Sequence, residues 1–173
     1  MRVSDKKMSL ETYRLILQPL SSEAFDDVYE IFINQFVRTY LFDNNILSKE
    51  QVEEFIQTSN ETFAKKDYGL WLVRLRNTNT IIGFAGLWHF FNEGQPQLLY
   101  ALLPEYTGEG FAAEASIELV KYCFERLRFA YLDASCDNPN ISSHKTALRI
   151  GMKKLKEDVI DGKPLTFYRI END

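Results

Sequence analysis

Cysteine and histidine are scarce in this chain, two of each in 173 residues. Cys123 and Cys136 lack metal-ligand spacing and no HExxH-type pair is present, so no metal site is expected. A reducing compartment would keep both as thiols, and Cys123 reads as a core residue on the apolar face of a helix. No apolar run approaches the length that spans a bilayer, and no apolar segment of the signal-peptide kind follows Met1–Lys7. A cytoplasmic location without a membrane partner is therefore expected. Basic residues are also in deficit: 20 Lys and Arg against 25 Asp and Glu give a net charge of −5. A dedicated nucleic-acid binder needs clustered cations to neutralise phosphates, so nucleic acid is not an expected partner. The acidity mildly favours a cationic substrate, although it is also the common route to solubility.

Repeats, low-complexity tracts and linkers are missing too. With 45% hydrophobic and 26% charged residues, the composition is that of a globular protein, read as one domain over residues 1–173 with 1–9 flexible. Thr12–Pro19 reads as a strand. Ser21 or Ser22 caps a helix whose apolar positions run from Phe25 to Phe36, and Ser48-Lys49-Glu50-Gln51 is a capping box for a second. Leu70–Arg76 and Ile81–Phe90 flank a polar turn, and Gly83 and Gly86 in the second of these strands predict a bulge or a close backbone approach. Phe129–Cys136 is a further strand. It is followed by a short helix carrying Ala147, Leu148 and Ile150 up to Gly151, then strands at Met152–Lys156 and Thr166–Ile170 around a turn at Asp161–Pro164.

The most informative stretch runs from Leu98 to Ala115. Pro104 ends an apolar strand. Gly108 and Gly110 then allow a tight turn into a helix whose first N–H groups and partial positive charge attract an anion, most often phosphate or pyrophosphate. The same residues also read as an ordinary strand-to-helix turn. The strand after that helix is expected to lie parallel to the one before it. The fold class is mixed α/β: a mostly antiparallel sheet with one parallel, splayed strand pair and flanking helices.

Two blocks resemble the GNAT superfamily of N-acetyltransferases, most closely the branch of the ribosomal-protein alanine N-acetyltransferases. Thr107-Gly108-Glu109-Gly110-Phe111-Ala112 is similar to the family's acyl-CoA loop. Asn140, Ser143, Gly151 and Met152 match its second block in spacing. The resemblance implies acetyl-CoA as cofactor and acetyl transfer to a primary amine by direct attack in a ternary complex. The amine would be a protein N-terminus, an amino acid, a polyamine or an aminoglycoside-like drug, and a homodimer stays open. It further implies that the amides from Gly108 to Ala112 hold the pyrophosphate, that Leu102 and Leu103 pair with the pantetheine arm, and that Asn140 bonds pantetheine or its neighbouring backbone. Asn140 also reads as a plain helix-initiating residue.

Departures from the pattern are specific. Thr107 replaces Arg or Gln, so that one phosphate contact is either lost or replaced by the hydroxyl. Glu109 replaces a common cation, Gln97 and Leu99 replace a Glu and a Gly often seen on that strand, and Arg149 keeps the charge of a common Lys.

Transfer needs a neutral amine close to the thioester, a donor for the developing oxyanion and a proton for the leaving thiolate. Leu102 or Leu103 N–H is the candidate oxyanion donor and Ser143 the candidate acid, with Tyr106 and Tyr131 behind it. His89 is the candidate base, with Glu93 acting through water or binding a cationic substrate. Two rival readings remain. One is a non-catalytic acyl-CoA-binding or interaction module of the same fold. The other is a nicotinamide-dinucleotide site built on Gly108, Gly110, Ala113 and Asp133.

Overall fold

The computed structural model describes residues 8–173. Most of the stretch read as flexible, residues 1–7, lies outside the described residues. Met8, at its edge, is buried, and its carbonyl accepts a 2.7 Å hydrogen bond from Trp71 Nε1.

Five antiparallel strands form the first sheet in the order β1 (Leu10–Glu11), β2 (Leu15–Pro19), β3 (Leu70–Leu75), β4 (Ile81–Trp88) and β5 (Gln97–Leu102). A second antiparallel sheet has the order β6 (Tyr131–Asp137), β8 (Lys163–Glu171), β7 (Lys153–Ile160). Among the described residues no ladder joins β5 to β6. Their starts are tied, since Gln95 Nε2 donates to Tyr131 O at 2.6 Å. From that closed end the strands run the same way, with a seam between them that no ladder closes.

Between the two sheets runs α4 (Phe111–Glu125), which buries Ala113, Ala115, Leu119, Val120 and Cys123 against Leu15, Leu17, Trp71, Val73, Ile82 and Leu132. The opposite face of β3–β5 is covered by α1 (Phe25–Ile33), α2 (Gln35–Arg38) and α3 (Lys49–Lys66). There Leu70, Leu72, Phe84 and Leu99 pack on Val28, Phe32, Val52 and Ile56. Strands covered on both faces read as apolar runs, which is why β3 and β4 show little alternation. The capping box of α3 forms as expected: Ser48 Oγ accepts from Gln51 N while Gln51 Oε1 accepts from Ser48 N.

Both readings of the β4 glycines hold. The register with β3 shifts by one residue beside Ile82, and a β-carbon on Gly83 would sit 2.1 Å from Ala101 O.

Four local expectations change. The helix expected to reach Phe36 breaks at Asn34, whose Oδ1 caps α2 by accepting from Phe36 N and Val37 N. The strand expected from Phe129 begins at Tyr131. Lys163 and Pro164 belong to β8 rather than to the turn, because Asp161 and Gly162 (φ +52° and +77°) close the hairpin as a two-residue loop. Leu148, expected on the packed stripe of α5 (Ile141–Arg149), is 58% exposed.

Candidate active site

Antiparallel pairing makes backbone groups alternate between neighbours. Leu103 N donates to Ile82 O at 2.8 Å, so Leu103 and Ala101 turn their amides toward β4. The N–H and C=O of Tyr100 and Leu102 consequently face the seam. This divides the pair expected to meet a pantetheine arm. Leu103 is committed inside the protein, its amide to Ile82 O and its carbonyl to Tyr106 N at 3.0 Å. Leu102 is left as the candidate donor.

At the open end of the seam a 3-10 turn (Pro104–Tyr106) leads into the glycine loop and α4. Gly108 (φ +80°) and Gly110 (φ +82°) adopt the left-handed conformation, and Gly110 is the helix N-cap. The first amide bonded to the loop behind it is Glu114 N, to Gly110 O. The preceding helix amides, Phe111 to Ala113, therefore point outward without an intrahelical acceptor. Two guanidinium groups flank them. A β-carbon built on Gly110 would lie 3.3 Å from Arg149 Nη2 and 3.5 Å from Arg14 Nη2. Among the described residues no carboxylate pairs with Arg149.

Glu114, an acid in the first turn of α4, accepts from Arg14 Nε (3.1 Å), Arg14 N (3.2 Å) and Thr12 Oγ1 (2.8 Å). Its charge is thus neutralised locally instead of repelling an anion. Arg14 also donates to Glu109 O (3.0 Å) and stacks on Phe111, with Cζ 4.3 Å from the ring centroid. Sequence reading missed Arg14, which lies 96 residues before Gly110 and carries no motif. The Glu109 side chain is exposed. Thr107, offered as a substitute phosphate contact, instead donates its hydroxyl to Pro104 O at 2.8 Å.

Asn140 caps α5, its Oδ1 accepting from Ser143 N at 3.3 Å. The helix-initiating role is the one the geometry displays, and among the described residues no bond engages Asn140 Nδ2. Ser143 sits beside Tyr100: Tyr100 Oη donates to Ser143 O (3.0 Å) and Ser143 Oγ to Tyr100 Oη (3.5 Å). Sequence reading missed Tyr100 because a half-buried aromatic on a strand looks like core. Burial raises its pKa well above the ordinary phenol range, outweighing the hydrogen bond from Ser143. Burial likewise pushes the Cys136 thiol to about 11 despite its contact with Ser143.

Neither candidate base joins this cluster. Ala85 stands opposite Tyr100 and Trp88 opposite Gln97, so His89 lies four residues further along the sheet, roughly 13 Å toward the closed end. Both its ring nitrogens are engaged, Nδ1 with Glu93 O (2.8 Å) and Nε2 with Tyr68 Oη (2.9 Å). Glu93 accepts from Phe90 N (3.0 Å) and Phe91 N (2.7 Å), holding the loop after β4. Tyr131 starts β6 at the closed end under Arg169, 3.8 Å from Cζ to the ring centroid, and does not reach Leu102. Tyr106 lies in the 3-10 turn, half-buried against the α4 core. Gln97 is 4% exposed, with Oε1 buried and unpartnered. Among the described residues no His/Cys/Asp/Glu group could hold a metal, and no helix is long and apolar enough to cross a membrane.

The dinucleotide alternative fails on architecture. That fingerprint belongs to a doubly wound parallel sheet, whereas five antiparallel strands precede this loop and a 3-10 turn separates strand from glycines.

Known proteins share this arrangement. The Acetyltransferase (GNAT) domain matches residues 14–153. An uncharacterized N-acetyltransferase of Bacillus subtilis, YoaA, is 29% identical over 146 residues, covering 84% of this chain and 82% of its own. Among solved structures, the ribosomal-protein-S5-alanine acetyltransferase of Vibrio fischeri superposes with a TM-score of 0.80 at 18% identity, over 95% of this chain and 97% of that one. The microcin C7 self immunity acetyltransferase MccE, solved with acetyl-CoA and AMP, gives a TM-score of 0.79 at 16% identity, over 99% and 100%. With the domain match spanning most of its length, the chain belongs to the GNAT acetyltransferase family.

Proposed function

We propose that the protein is a cytoplasmic N-acetyltransferase that moves an acetyl group from acetyl-CoA to a primary amine. One observation carries the reading: the open seam between β5 and β6 leads to a helix N-terminus flanked by Arg149 and Arg14. A pyrophosphate carrying a peptide-like arm matches that combination, its anion against the loop amides and its arm alongside a strand edge that lacks a neighbour.

In this reading the amides from Gly108 to Ala112 and the two guanidinium groups hold the pyrophosphate. The seam-facing backbone groups of Leu102 and Tyr100 pair with the arm, and Asn140 Nδ2 is an additional donor. Bound there, acetyl-CoA would supply an activated acetyl group, the acyl carbon exchanging its bond to sulfur for one to the amine nitrogen and CoA leaving as the thiolate. Leu102 N–H donates to the carbonyl oxygen as charge gathers on it. Ser143 Oγ–H would turn from Tyr100 Oη to donate toward the departing sulfur, while Tyr100 stays anchored to Ser143 O. The displaced amine proton passes to water. Neither His89 nor Glu93 is free to take it, so the amine must arrive neutral, and apolar surroundings favour that form by desolvating the ammonium.

The test is calorimetric titration with acetyl-CoA followed by measurement of CoA thiol release in the presence of primary amines. Saturable binding and amine-dependent release are expected. Binding without release from any amine would favour the non-catalytic module, and no binding would refute the reading.

A further inference from the structure

On the face of β5 opposite Tyr100 lies a cavity of about 150 Å³ lined by nine side chains, all apolar. Aromatic rings dominate its walls: Phe32 packs 4.8 Å from Phe84 and 5.2 Å from Phe42, and Phe55 lies 5.4 Å from Trp88, centroid to centroid. Its floor includes Leu99, the neighbour of Tyr100 and three residues before Leu102.

The outer wall is tied across the seam. Tyr40 Oη donates to Pro139 O at 3.4 Å, and Asp43 forms an ion pair with Lys163. Between them Phe42, Asp43 and Asn44 run with positive φ (56°, 51° and 60°), a backbone that non-glycine residues adopt only when their surroundings hold it. The pocket is therefore a built feature bordering the proposed transfer site. A wider groove of about 560 Å³ between the first helix and α3, lined by Ser22, Phe25 and Glu53 among others, includes no strand residue.

We infer that this cavity receives the side group of the acceptor, which is a primary amine carrying an aromatic ring or a branched aliphatic group. The inference rests on the acetyltransferase reading above. Volume and lining argue for it together: an apolar cavity near 150 Å³ is the size that accommodates a single benzene ring. Charge argues against the alternatives. No lining residue is ionisable, so a second ammonium placed there would lose its hydration with no counter-charge. Polyamines and aminoglycoside-like acceptors are thereby disfavoured, contrary to the mild preference suggested by the net acidity.

The test compares kcat/KM for phenethylamine, isobutylamine, ethylamine and spermidine, with acetyl-CoA affinity measured separately by calorimetry. Phenethylamine is expected to exceed ethylamine by about 100-fold or more, since pockets of this kind discriminate roughly 10- to 200-fold per methylene. Phe42→Ala should narrow that ratio at least about tenfold while acetyl-CoA binds as before. Phe90→Ala, at the partly exposed rim, is the second variant should Phe42→Ala unfold. Tetrapeptides beginning with Phe and with Ala locate the source: faster transfer to the Phe peptide than to phenethylamine assigns a chain N-terminus, and slower transfer a free amine. Acetyl-CoA binding with no preference for phenethylamine, or with no transfer to it, overturns the pocket alone. Failure to bind acetyl-CoA overturns the underlying reading, and the pocket assignment with it.

Discussion

Replacing Gly110 by alanine probes the anion loop at its most constrained point. At φ +82° an L-residue costs roughly 1–2 kcal/mol. For a domain of this size each kcal/mol moves the melting temperature by about 2–4 °C, so a fall of about 2–8 °C is expected without ligand. The new methyl would also stand 3.3 Å from Arg149 Nη2, so that guanidinium must give by a few tenths of an ångström beside the anion. Acetyl-CoA at 100 times its dissociation constant stabilises the parent protein by about 2.7 kcal/mol, an upward shift of about 5–11 °C. A tenfold loss of affinity at the same concentration leaves about 1.4 kcal/mol, half the shift. Gly108→Ala separates the two effects, because Gly108 shares the positive φ but its side faces open space. Gly94→Ala, with nothing within 4 Å and no positive φ, is the silent control. The assay is thermal unfolding of all four proteins with and without acetyl-CoA. If Gly110→Ala melts and responds to ligand like the parent, the loop does not hold the anion as argued.

Other expectations concern single groups. Ser143→Ala should lower turnover about 10- to 100-fold with acetyl-CoA affinity nearly unchanged, and unchanged turnover would remove Ser143 from the chemistry. His89→Ala should lower stability by about 1–3 kcal/mol through the lost bonds to Tyr68 and Glu93. The rate should keep its alkaline rise, which follows the substrate amine's own ionisation, and a flattened profile would return His89 to the role of base. Burial raises the thiols of Cys123 and Cys136 to about 12 and about 11, so both should resist alkylation at neutral pH until the protein unfolds. Because these raised values favour the protonated folded form, that stability is complete below the unfolded thiol value of 9.0 and is lost as pH climbs toward 11–12. Urea unfolding at pH 8 and pH 10 should show a loss of about 1 kcal/mol per thiol, and Cys136→Ala should reduce it.

Features with local causes were legible in the sequence. The α3 capping box and the loop from Pro104 to Ala112 each depend on residues within one or two turns of each other, and the β4 glycines stand out by lacking a side chain inside an apolar strand. Functional partners supplied by distant segments were not. Arg14 reaches Gly110 from the bend before β2, and Tyr100 reaches Ser143 across the seam. The candidacy of His89 rests on its pKa class and on a strand end, neither of which shows its partners. The register shows that β4 finishes at the closed end, where Tyr68 and Glu93 engage both ring nitrogens. For Thr107 and Leu103 the sequence leaves alternatives open, and the structure shows a nearby backbone acceptor taking the donor of each.

The Gln95–Tyr131 tie joins β5 and β6 at their starts. Beyond that tie, β5 and β6 present edges to each other that no ladder closes, so water must satisfy them whenever the gap is empty. A guest whose amides match the strand spacing would pair with those edges as a ninth strand. Slower amide hydrogen exchange at Tyr100 and Leu102 would then register occupancy directly, whether or not any chemistry follows.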